Sequence, residues 1–122
     1  MCSDSHSIKA LKIALDLVKK QGAEARMLDL SKTILPFREQ GVPAPMQVKE
    51  TADKVVRVDA FVLVSPDYHG SISSATKNFI DNFYPEFAGK VFAYIVASQE
   101  EGLTAMDQMW MAGLQTKSCQ GA

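Results

Sequence analysis

Phe61, Val62, Leu63 and Val64 form an unbroken apolar run that ends at Ser65 and Pro66, and this run constrains the fold more than any other stretch. Four consecutive apolar residues leave no polar face for water, so a strand made of them is covered on both sides, as in a parallel sheet. Val91 to Ala97 has the same character. Between and around these runs, apolar residues recur at helical spacing: Ile8, Leu11, Leu15 and Val18, with Ala14 beside them; then Val48, Ala52, Val55 and Val56; then Ala75, Phe79, Ile80 and Phe83. Lys9, Lys12, Asp16 and Lys19 fall on the other faces of the first group. Alternating helical and strand patterns predict an α/β fold with a parallel sheet. Strands are expected near residues 25–30, 60–65 and 91–97, and helices near 8–21, 47–57, 74–84 and 103–113.

Local signals mark the ends of these elements. Ser5 or Ser7 can cap the first helix and Gly22 can end it, while Pro45 precedes the second. Ser73 or Ser74 caps the third helix and Pro85 closes it. Pro36, Gly41, Pro43 and Pro45 mark a loop inside one domain spanning residues 1–122, a length that supports a single core. A net charge of −1 argues against nucleic acid or an anionic membrane surface as partner. No apolar run approaches the ~20 residues that cross a membrane. The opening MCSDSHSIKAL lacks the regions of a secretory signal, so a cytoplasmic protein is expected. Cys2 and Cys119 show neither disulfide nor zinc spacing, and His6 and His69 are isolated.

In an open α/β sheet, ligands collect beyond the carboxyl ends of the strands, where loops and helix N-termini offer free backbone donors. Asp67, Tyr68, His69, Gly70 and Ser71 occupy such a junction. Gly70 would let main chain approach a ligand closely. The stretch GSISSATKN is no phosphate-binding P-loop, because no second glycine precedes Lys77 and Asn78 stands where a hydroxyl is needed. Asp67 and Asp81 have no spacing that argues for a carboxylate pair. Met106, Met109, Trp110 and Met111 read as core packing of the last helix.

Ser65, Pro66, Tyr68, His69, Gly70, Ser71, Ile72, Ser73, Lys77, Asn78, Ile80 and Asp81 together resemble the FMN-binding turn of the flavodoxin-like NAD(P)H-dependent FMN reductases. That family includes azoreductase-like and chromate- or quinone-reducing flavoproteins. Asp67 replaces the usual Glu, Ser74 the usual Gly and Thr76 the usual Leu. The resemblance implies a flavodoxin-like three-layer sandwich with FMN as cofactor and NAD(P)H as electron donor. The acceptor would be a small molecule: a quinone, an azo compound, a metal oxyanion or free flavin. The implied flavin contacts are Pro66, Asp67, Tyr68, His69, Gly70 and Ser71, with Ser98 and Gln99 from the loop after Ala97. Ser5 and Ser7 match the last two phosphate contacts. No side chain is implied as a catalytic acid or base, since the flavin carries the chemistry. Helices after the flavin loops in this family meet a second subunit, which implies a homo-oligomer.

The family's opening strand and its G-S-x-R loop have no counterpart before Ser5, and Met111 to Ala122 has no β-branched run for a final strand. The expected sheet therefore lacks the first and last strands of the flavodoxin order. Either the remaining strands close up, a partner supplies the missing ones, or the chain is a fragment. An incomplete phosphate loop implies weak FMN binding. The alternative to an oxidoreductase is a non-catalytic remnant or interaction module that keeps part of the flavin site; a flavodoxin-like electron carrier is a third reading.

Overall fold

The computed structural model describes residues 5–118. Among them, helices α1 (His6–Lys20), α2 (Met46–Val56), α3 (Ser74–Asn82) and α4 (Leu103–Ser118) accompany strands β1 (Ala60–Tyr68), β2 (Ser71–Ile72) and β3 (Val91–Ala97). β1 and β3 pair in parallel from Ala60 opposite Val91 to Pro66 opposite Ala97. β2 pairs antiparallel with Asp67 and Tyr68, on the other side of β1 from β3. This is a mixed α/β architecture, mostly parallel, of the flavodoxin-like type.

The pleat separates the two faces of the β1–β3 pair. Phe61, Leu63, Phe92, Tyr94 and Val96 pack against a core made of Val48 and Val55 of α2, Phe79 and Ile80 of α3, Phe83, Phe87, and Ala105 and Met109 of α4. At its centre is Phe87, 1% exposed, on a 3-10 turn over Pro85–Phe87. Its ring stands edge-on to Phe61 and Phe92, with centroids 5.3 and 5.4 Å away. Phe61 and Phe92 stack on each other across the two strands at 5.3 Å. Edge-on and offset contacts of this kind suit the aromatic quadrupole. Lys90 then fixes the end of α2 against the start of β3, its Nζ donating to the carbonyls of Val56 and Val58; a cation there complements the helix dipole.

α1 covers the opposite face, touching β1 and β3. It does so loosely, for none of its residues is fully buried. Val62 and Val64 on that face are half-buried, although an all-apolar run predicts full coverage. The cause is an open edge: from Ala60 to Pro66, β1 pairs only with β3 among the described residues.

The strand expected at residues 25–30 does not form; the chain there is an irregular loop. A strand needs a neighbour to take its backbone groups, and among the described residues no backbone hydrogen bond joins this segment to β1. Side chains hold it instead. Leu28, Leu30 and Leu35 pack against the core. Asp29 accepts from the backbone N–H and the hydroxyl of Ser31, which holds its carboxyl below the usual carboxylate range. Asn78 donates to the Leu35 carbonyl at 2.8 Å and Asn82 to that of Pro36 at 3.1 Å, so α3 carries the loop.

The reading of the last helix also needs correction. Met109 is buried, but Trp110 and Met111 are 58% and 53% exposed. One helix face cannot hold three consecutive positions, and only the face through Ala105 and Met109 meets the sheet. No helix among the described residues is long and apolar enough to cross a membrane.

Gly113 lies where α4 crosses Tyr94: a Cβ there would come 1.7 Å from the Tyr94 hydroxyl oxygen. Burial pushes the Tyr94 phenol above its usual range. Gly113→Ala should therefore destabilise the fold by about 1–3 kcal/mol through overpacking, against the usual ~1 kcal/mol gain of alanine over glycine in a helix. Urea unfolding of the variant measures this, and a gain in stability would refute the close contact.

Candidate functional site

β1 runs three residues further than expected, through Pro66, Asp67 and Tyr68, because the chain turns back on itself there. His69 and Gly70 form a two-residue loop between Tyr68 and Ser71, and both have positive φ, 57° and 75°. Two positive φ angles in a two-residue hairpin are the signature of a type I′ turn, whose twist matches that of its strands. The predicted strand-to-helix loop is thus a hairpin followed by a helix cap. His-Gly supplies what Asn-Gly usually does, and the signal lay in the sequence at a spacing read as plain loop.

Beneath the hairpin, a buried polar chain links strand to helix. Ser65, fully buried, accepts from the backbone N–H of Ser73 at 3.0 Å. Ser73 caps α3, its hydroxyl accepting from the Thr76 N–H at 3.2 Å. On the far side, Gln108 of α4 uses its Oε1 to accept from the Ser71 hydroxyl at 2.9 Å and the Ile72 N–H at 3.2 Å. Sequence reasoning missed Gln108 because a polar residue on a helix gives no sign of which loop it faces.

An open cleft of about 530 Å³ lies beside this hairpin, lined by Asp67, Gly70, Glu100, Glu101, Gly102, Leu103 and Thr104. Asp67 accepts from the Ser98 hydroxyl at 3.1 Å through Oδ2, while its Oδ1 is buried without a partner. Ser98 in turn accepts from the Glu100 N–H, so the loop after β3 is tied to the end of β1. Three carboxylates with two glycines and a threonine make the cleft acidic. It suits a ligand edge that donates hydrogen bonds and repels a phosphate.

The predicted residues fall into groups. Pro66 to Ser71 are contiguous at the tip of β1, and Ser98 meets them through Asp67. Asp67 and Gly70 line the cleft, whereas Tyr68 and His69 are exposed at the hairpin tip. Gln99 is exposed and does not line the cleft. Ser5 and Ser7 lie at the start of α1 and do not line it either. Ser5 is the N-cap of α1 but makes no side-chain capping bond. Thr104, Glu100, Glu101, Gly102 and Leu103 join the cleft without having been expected there.

A family model described as NADPH-dependent FMN reductase matches residues 2–117 of the chain.

Gly70 faces α4, where a Cβ would come 2.9 Å from Thr104 Oγ1 but 3.9 Å from its Cβ. Gly70→Ala should cost about 1–2 kcal/mol for a left-handed backbone, and more for displacing the Thr104 hydroxyl. In a Thr104→Ala background only the first part should remain. Equal losses in the two backgrounds, measured by urea unfolding, would show that Thr104 is not what Gly70 accommodates.

Proposed function

The chain belongs to the NADPH-dependent FMN reductase family, and on that premise we propose that it holds FMN against the β1–β2 hairpin as an NAD(P)H-dependent oxidoreductase. The electron acceptor would be a small molecule: a quinone, an azo compound, a metal oxyanion or free flavin. The observation that carries the reading is the buried, unpartnered Asp67 Oδ1 at the wall of the cleft. A buried acceptor without a donor is costly, on the order of 1–3 kcal/mol, and the isoalloxazine ring offers an N–H donor on its pyrimidine edge.

The residues present fit this group in two separate places. The hairpin and cleft offer the ring an acceptor in Asp67, a hydroxyl in Thr104 and close main-chain approach around Gly70. Pro66, Tyr68, His69 and Ser71 would border the ring, and Ser98 with Gln99 would back it. The phosphate belongs elsewhere, because Asp67, Glu100 and Glu101 repel a dianion. Ser5 and Ser7 fit it better, at a helix start with no acidic residue in its first turn and with free amides that favour anions.

Bound FMN would supply the redox chemistry, accepting hydride from the nicotinamide and passing electrons on to the acceptor. The chain's own part is binding and orientation. Ser98 fixes the Asp67 carboxylate by donating to Oδ2, which leaves the buried Oδ1 as the oxygen without a protein donor. No side chain in the cleft needs to act as a general base. A second reading, a protein that retains the hairpin but holds FMN poorly, is favoured by the same three carboxylates.

FMN titrated into the protein should have its fluorescence quenched to saturation, and added FMN should support NADPH oxidation with a quinone. Glu100→Gln with Glu101→Gln should tighten FMN severalfold at low salt and less at high salt, as screening removes the charge effect. Absence of quenching by both wild type and this variant at millimolar concentration would reject the flavin reading. Quenching without NADPH oxidation would select the second one.

A further inference from the structure

We propose that Gln108 is a positioning residue of the flavin site, setting the hairpin's conformation from α4; the functional part of this inference rests on the flavin reading above. β2 contributes only Ser71 and Ile72 to pairing, and so short a ladder is marginal by itself. Something beyond the strand pair has to hold the hairpin at one angle. Opposite residues of an antiparallel pair alternate between bonded and unbonded kinds, and the Ile72 N–H goes to Gln108 rather than to β1. Ile72 is 8% exposed, so that N–H has little access to water and loses most if its acceptor is removed.

Thr104 and Gln108 are one helical turn apart and form a single seat. Thr104 lies against Gly70 at the turn, and Gln108 bridges the two residues that follow it. Gln108 does not line the cleft. Its influence on a ligand passes through the hairpin, by fixing where Gly70 and Ser71 present their backbone.

Both bonds end on Oε1, and both donors are hydrogen-bearing groups of the hairpin. An acceptor of the same reach should therefore replace the amide, and an apolar side chain of the same length should not. Helix propensity does not confuse the comparison, since Gln, Met and Glu are nearly equal in it.

The experiment measures amide hydrogen exchange at Ile72 by NMR in wild type, Gln108→Met and Gln108→Glu, with the unfolding midpoint and FMN titration alongside. In the Met variant Ile72 should exchange about tenfold faster, as expected for the loss of roughly 1–1.5 kcal/mol of hydrogen bonding. Its unfolding midpoint should fall by a few degrees, since the same bonds are lost from the folded state, and its FMN affinity should fall severalfold. The Glu variant should restore the Ile72 protection. Unchanged exchange in the Met variant, equal loss in both variants, or unaltered FMN affinity despite faster exchange would overturn the proposal. If wild type itself binds no FMN, the flavin reading fails separately, and the exchange comparison still decides whether Gln108 seats the hairpin.

Discussion

The structure depends on the ring of Phe87. It stands between the two long strands and the helices, edge-on to Phe61 and Phe92 and near Phe79 at 5.6 Å. Two long strands and a two-residue one give little sheet to build on, so side-chain packing carries more of the stability than the ladder does. Removing a buried phenylalanine costs about 3–5 kcal/mol, a large part of the ~5–15 kcal/mol that holds a domain of this size folded. By contrast, the α1 face of the sheet is only half covered, and the edge of β1 from Ala60 to Pro66 is unpaired among the described residues.

From that core the order of the site follows outward. The stacked strands fix Ser65, whose hydroxyl meets the start of α3; α3 in turn holds the Leu35–Pro36 loop through Asn78 and Asn82. α4 is anchored by Ala105 and Met109, both fully buried. Its first two turns present Thr104 and Gln108 to the hairpin. The hairpin is therefore clamped between a buried serine below and a helix beside it, while its tip at Tyr68 and His69 stays exposed.

The cleft and the start of α1 differ in charge. Asp67, Glu100 and Glu101 make the cleft beside the hairpin negative, and the first turn of α1 carries no acidic residue.

Much of this was legible in the sequence. Apolar runs gave β1 and β3 and their parallel pairing, because periodicity reports which faces are buried. Helical spacing gave α1, α2 and α3, and the motif from Ser65 to Asp81 gave the family. The rest depended on neighbours that periodicity does not report. Residues 25–30 look like a strand, yet a strand exists only with a partner, and they became a loop held to the core by Leu28 and Leu30. Trp110 and Met111 look like core residues, yet the sheet meets α4 along the face of Ala105 and Met109. Gln108 looks like any surface glutamine until the fold brings Ile72 to it. Local chemistry decided which segments are helix or strand, while tertiary structure decided which of them find partners, because a hydrogen bond or a packed face needs two sides and the sequence displays one at a time.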